Sequence, residues 1–179
     1  MYVVLMAMLA LNISTEVLNG FSIVEESLNR TTSNSSKENE SIYSDFLEQM
    51  KTNPEKVKAW FDKATMVKQM SDSLYNYAQS LKEQIVKEAD GDDADLNNIV
   101  GKDNLEAAAH VMLAPGTGQG KKLYDAINSY RERILKMVND DHQRQLIAEN
   151  LSTKIPKKGN ALGKNWQEYM FESMPVAAA

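Results

Sequence analysis

The sequence predicts an all-α protein, in which an N-terminal transmembrane helix continues into a helical bundle. Three observations carry this expectation. Residues Met1 to Leu11 form an apolar run without a single charge. Further along, apolar residues recur in alternating steps of three and four over two long stretches, the spacing of helix–helix seams. Gly and Pro number only 8 and 4 in 179 residues, too few turn signals for a hairpin-rich sheet.

The apolar run passes through Asn12, Ser14 and Thr15 to the first charge, Glu16. A membrane-spanning helix needs about 20 largely apolar residues, and the run is shorter than that. Three readings stay open from the residues alone: the latter part of a membrane helix, a signal-peptide core, or a buried helix. No Lys or Arg precedes the run and no small-x-small cleavage site follows it, which weighs against a signal peptide. Val17, Phe21 and Val24 continue at helical spacing, so one helix is expected from Met1 to about Arg30, unbroken across Glu16. The expected division is a transmembrane helix over 1–22, N-terminally incomplete, and a helical domain over 23–179.

The polar stretch Thr31 to Ser36 is low in helix propensity. Ser35 and Glu38 have capping-box spacing, so a break or kink is expected there. Ile42, Phe46 and Met50 then share one face of a second piece. Asn53-Pro54 reads as a restart, because Asn caps and Pro fits the first turn. From Pro54 to about Ala89 one long helix is expected. Its seam is Trp60, Ala64, Val67, Ser71, Leu74, Ala78, Leu81 and Ile85, and Gly91 ends it. An acidic loop covers Asp92 to Lys102. Asp103 with Glu106 opens a short helix to about Leu113, and Ala114 to Gly120 is a glycine-rich loop. Leu123, Ile127, Tyr130, Ile134 and Met137 mark the next helix. Asn139 caps a short helix ending near Leu151, and a basic loop follows around Pro156. Asn165 with Glu168 caps a last helix bearing Trp166, Met170 and Met174. Pro175-Val-Ala-Ala-Ala is apolar and helix-prone without a terminator, as if a parent chain continued. Long helices with short loops indicate a bundle.

Composition narrows the function. The 25 acidic against 20 basic side chains give a formal charge of −5, without the basic excess of a nucleic-acid binder. Cysteine is absent, which excludes disulfides, zinc-thiolate sites and a cysteine nucleophile. Pro115 to Lys122 resembles a phosphate loop superficially. However, Pro115 occupies the first Gly position, Lys122 replaces the Ser or Thr that holds magnesium, and no strand precedes it. Asp90, Asp92, Asp93 and Asp95 fit neither register of a calcium loop. His110 and His142 lack metal-ligand spacing. Asn29, Asn34 and Asn39 begin glycosylation sequons, which matter only in a eukaryotic secretory pathway. Lys154, Lys157, Lys158 and Lys164 read as a solvated loop. No catalytic constellation is found, so the chain is expected not to be an enzyme and to need no cofactor or metal. Asn12, Ser14, Thr15 and Glu16 form a polar belt. Polar groups facing lipid are costly, so these face either a protein partner or interfacial water.

The opening segment MYVVLMAMLALNISTEVLNGF resembles the membrane segment of the GldM/PorM family. These are single-span subunits of the type IX secretion and gliding-motility motor of Bacteroidota. The matching elements are MY, AMLALN, S-x-E-VLN-x-F, the following V-x-ESL and the terminal ESMPVAAA. The resemblance covers the whole chain. It implies the membrane helix and the first, all-helical periplasmic domain of a longer parent, with β-rich domains beyond Ala179. It also implies a homodimer inserted into a five-copy ring of the GldL/PorL membrane subunit. Proton flow drives that assembly, and later domains reach outer-membrane-associated secretion components. The expected location is the bacterial inner membrane, crossed once, with the N-terminus cytoplasmic and the C-terminal part periplasmic. The family's short basic N-terminal segment, whose Arg is implicated in ion-coupled contact with a Glu of the ring, has no counterpart before Met1. The candidate partner and membrane interface is Tyr2, Met6, Asn12, Ser14 and Glu16. The alternative is the ectodomain of a membrane-anchored helical-bundle receptor, which needs a second span for inward signalling.

Overall fold

A computed structural model describes residues 13–156 and 162–179. The described residues form helices joined by loops and one short 3-10 turn, with no strand among them. Helix α1 spans Thr15–Thr52 and α2 spans Pro54–Asp90. Shorter helices follow: α3 over Ala107–Leu113, α4 over Gly120–Met137, α5 over Asp141–Asn150 and α6 over Trp166–Phe171. No helix among the described residues is long and apolar enough to cross a membrane. The apolar run Met1–Leu11 lies outside the described residues, so the membrane helix expected over 1–22 is not tested by them.

α1 and α2 form a long antiparallel hairpin. Glu25 lies beside Lys82 at one end, and Tyr43 meets Phe61 and Thr65 at the other. The expected break at Thr31 to Ser36 does not occur. Packing of Leu18, Phe21, Tyr43, Phe46 and Met50 holds both flanks of this stretch, all half-buried. Breaking the helix between them would add a second costly nucleation, against a few tenths of a kcal/mol per polar residue. Thr31 satisfies its hydroxyl by donating to the Ser27 carbonyl at 2.9 Å. Ser35 therefore caps nothing. Of the face predicted through Ile42, Phe46 and Met50, the last two are half-buried as expected, but Ile42 is exposed and Tyr43 takes its place, stacking on Phe61 with 5.6 Å between ring centroids.

The break at Asn53-Pro54 is real, with Pro at the start of α2, but Asn53 makes no side-chain cap bond. Its backbone N–H instead closes α1 on the Gln49 carbonyl at 2.8 Å. Gly91 ends α2 at φ 79°, a left-handed value that suits a residue without a Cβ. The seam from Ala64 to Ile85 faces the protein, becoming fully buried at Leu81 and Ile85. Trp60 does not belong to it. It is 62% exposed, with the Lys63 ammonium 5.2 Å above its ring, while Phe61 takes the inward place.

The core lies at the C-terminal end of α2. Leu81, Ile85 and Val86 pack there with Ala107, Ala108, Met112, Phe171 and Val176. Ala107 and Ala108 are small enough for α3 to approach α2 closely, which is why a seven-residue helix suffices. α4 runs back along α2, with Gln119 beside Tyr77 and Tyr130 hydrogen-bonded to Ser71 at 2.7 Å. The guanidinium of Arg144 in α5 donates to the Leu135 and Val138 carbonyls, capping the end of α4.

Two further caps differ from the sequence reading by one residue. Asn104, not Asp103, accepts from the Glu106 and Ala107 amides, and Asp140, not Asn139, caps α5. The Asn165–Glu168 capping box forms as expected. Beyond it, Ser173 adopts φ 55° and turns the chain inward. Pro175 and Val176 are then buried, so this apolar stretch docks on the body of the domain instead of extending the last helix.

Candidate functional site

The sequence directs attention to the start of α1. Ser14 has an extended backbone, φ −66° and ψ 147°, and its Oγ accepts from the Val17 amide at 3.3 Å. This satisfies one of the four unpaired donors that open any helix. The helix therefore begins at Thr15, and the expected unbroken helix across Glu16 is corrected at Ser14. Glu16 sits in the first turn, where a carboxylate complements the helix dipole. Both side chains are exposed. Tyr2, Met6 and Asn12 lie outside the described residues, so the structure brings together only Ser14 and Glu16 of the candidate interface.

The first turns of α1 are tied to the body by residues that the sequence pattern did not single out. Lys102 donates to Ser22 Oγ at 3.3 Å, and Lys82 lies 3.6 Å from Glu25. The loop carrying Lys102 is fixed from below. Asp90 accepts from the Val100 amide at 2.9 Å and the Gly101 amide at 2.7 Å. A Cβ on Gly101 would lie 2.9 Å from Asp90 Oδ1, so this clamp favours glycine. The same loop receives the C-terminal segment: the Val176 amide donates to the Asn104 carbonyl and the Ala177 amide to the Lys102 carbonyl, each at 3.1 Å. The start of α1 and the segment around Val176 thus meet at one end of the bundle.

One face of α1 has no cover from the rest of the fold. Val17, Phe21, Val24, Leu28, Thr31, Ser35, Glu38 and Ile42 alternate steps of four and three. All are exposed except Phe21, which is half-buried, and Leu28 is 61% exposed. The apolar members cluster toward the start of the helix.

The other sequence candidates have local structural duties. The loop after α3 spends its amides internally: Gly118 donates to Ala114 and Gln119 to Val111. They are not free to cradle a phosphate. Lys121 pairs with Asp125 at 2.9 Å. Asp90 is the Val100–Gly101 clamp, and Asp95 accepts from the Asn97 amide. His110 lies 3.1 Å from Glu88 at the surface. Lys164 pairs with Glu172, while Lys157 and Lys158 lie outside the described residues.

The model of one known family, the GldM N-terminal domain, matches residues 16–179. The chain belongs to that family. No curated protein matches it. The resemblance read from the opening and closing motifs is therefore correct, and it ties this GldM domain to the gliding-motility and type IX secretion machinery. The matched region contains the hairpin, the core and the docked C-terminal segment.

Proposed function

We propose that this GldM domain is the membrane-proximal part of an inner-membrane motor subunit. Proton flow is converted into motion, which is carried across the periplasm to drive type IX secretion and gliding. Two copies pair within a five-membered ring of the GldL/PorL subunit. The N-terminus is cytoplasmic, the chain crosses the membrane once, and residues from about 23 onward lie in the periplasm. Later domains reach the outer-membrane-associated components. The role is mechanical and not enzymatic.

The family match over residues 16–179 is the observation that carries this reading. The geometry suits it. α1 has 38 residues, about 57 Å of continuous helix at 1.5 Å per residue, which makes a stiff lever. Ser22 and Glu25 couple its first turns to the body. Its uncovered heptad face gives a second copy a parallel seam.

Disulfide trapping in membranes tests the reading. Single cysteines at Val24 or Leu28, and at Val4 or Ala7 upstream, are expected to yield dimers in membranes that also contain the ring subunit. A small two-span, ring-forming protein is expected to co-purify. No dimer at any of the four positions, with normal expression, would remove the parallel pair. Glu16→Leu separates a partner contact from an interfacial role. Loss of secretion with assembly intact supports the contact, and unchanged secretion reduces Glu16 to a helix-dipole residue.

A further inference from the structure

A groove runs between α2 and α4 on the side of the bundle that α1 does not cover. Its floor is apolar and soft: Met66, Met70 and Leu74 from α2 face Ala126, Tyr130 and Met137 from α4. Its length, from Met66 to Tyr77, is about three helical turns, or roughly 16 Å. The Tyr130 and Ser71 hydroxyls satisfy each other at 2.7 Å and Tyr77 reaches Gln119 at 3.3 Å, while Gln69, Ser73 and Ser129 add polar groups to the lining. Met66 remains 50% exposed although its neighbours are packed.

The rim is charged with one sign. Arg133 and Lys136 line the groove, and no carboxylate does. Neither cation has an ion-pair or hydrogen-bond partner among the described residues. Glu132, one residue before Arg133 and four before Lys136, is exposed on α4 but does not line the groove, while Asp72 and Asp125 are engaged by Lys68 and Lys121. In a chain with a net charge of −5, the groove lining itself is positive, with Arg133 and Lys136 as its only charged members among the described residues, beside a methionine-lined floor. Methionine side chains adapt to varied apolar partners, and a shallow groove between two helices accepts a third helix at i, i+3, i+4 and i+7 positions.

We infer that this groove is a docking site for an amphipathic helix of another protein, one that presents an apolar stripe flanked by Asp or Glu. The stripe fills the space over Met66, Met70 and Met137. The flanking carboxylates pair with Arg133 and Lys136, whose partial desolvation on docking gives the site its preference for acidic helices.

The test uses the whole chain labelled with 13C at its methionine methyls. The probe is a 15-residue helix-forming peptide with Leu at positions 1, 4, 8 and 11 and Glu at the flanking positions. A second probe carries Lys in place of Glu. The Glu peptide is expected to shift the Met66, Met70 and Met137 methyl signals and to bind about tenfold or more tightly than the Lys peptide, the scale of one lost charge pair. Arg133 and Lys136 are both exposed, so Arg133→Glu with Lys136→Glu leaves the fold intact and is expected to reverse that preference. Equal binding of the two peptides overturns the inference, as do shifts confined to other methionines. Stronger perturbation of the same methyls by phosphatidylglycerol vesicles would assign the groove to a lipid surface instead. Shifts that grow with protein concentration alone would assign it to a second copy. Either result also overturns the inference.

Discussion

Replacing Leu81 with Ala is the most direct test of where this fold keeps its stability. Leu81 is 3% exposed and packs in the cluster that joins α2 to α3 and to the docked C-terminal segment. Removing its outer carbons loses their transfer free energy and leaves a cavity, together about 2–5 kcal/mol for a buried Leu. The surroundings have little freedom to collapse. Ala108 already brings α3 against α2 with no exposed surface, and Asp90 clamps the loop beyond it. The expected loss is therefore in the upper part of the range, about 3–5 kcal/mol. At about 2–4 °C per kcal/mol for a chain of this size, the unfolding midpoint falls by roughly 6–20 °C. Trp60→Ala is the internal control. The same spacing places Trp60 on the sequence seam, yet it is 62% exposed, so the expected change is within about 0.5 kcal/mol. Thermal unfolding of the two variants, followed by circular dichroism, separates the cases. Equal shifts, or a larger one for Trp60→Ala, would show that the load-bearing end of α2 has been misplaced.

Two glycines make opposite predictions. Gly20→Ala places its Cβ in open space within α1 and is expected to stabilise by about 0.5–1 kcal/mol, whereas Gly120→Ala brings a Cβ within 2.7 Å of Gln167 Cβ and 2.8 Å of the Met112 carbonyl, at a cost of about 1–3 kcal/mol; urea midpoints of the pair check both signs. Asn165→Ala removes the side-chain half of the α6 capping box, leaving the backbone N–H of residue 165 to donate to Glu168, and is expected to cost about 1 kcal/mol, read as faster amide exchange across Trp166–Phe171. Burial raises the Tyr77 phenol above its ordinary value, so its folded pKa exceeds its unfolded one. The linked stability is intact below about pH 10 and is lost as pH rises beyond it; Tyr77→Phe is expected to flatten that alkaline loss in urea titrations repeated at rising pH.

The all-helical class and the main helix boundaries were legible because their signals are local. Pro54 starts a helix wherever it is preceded by a stop, Gly91 accepts a left-handed backbone, and Asn165 with Glu168 completes a box within four residues. Errors arose where two neighbouring residues had equal chemistry. Asp103 and Asn104 both cap, as do Asn139 and Asp140, and the choice depends on which backbone turns extended. The polar stretch Thr31 to Ser36 misled for a different reason. Its propensity argues for a break, but the contacts that keep it helical are made outside it, ten residues before at Phe21 and seven residues after at Tyr43. α3 was found in outline, but its core role was not: Ala107, Ala108 and Met112 occupy seven residues, too few for a periodicity to declare a buried face.

The candidate site was legible in a complementary way. Motif resemblance reached the family from the chain's two ends, and the match over residues 16–179 agrees with it. Burial and spacing could not have done so, because Ser14 and Glu16 are exposed residues with ordinary helix-start chemistry. What motif reading missed is the junction at Lys102. Its side chain reaches Ser22 on α1 while its carbonyl holds Ala177, eighty residues away in one direction and seventy-five in the other. Neither separation leaves a periodic trace. A Lys-to-Ser hydrogen bond at a partly exposed position is individually weak, typically about 1 kcal/mol. The junction's stiffness must therefore come from the pieces on either side of it, the half-buried Asp90 clamp and the buried Val176 side chain in the core. This places the rigid end of the hairpin at its base, where α2 enters the core. At the far end Trp60 and Ile42 face solvent, and no fully buried side chain among the described residues joins α1 to α2 there.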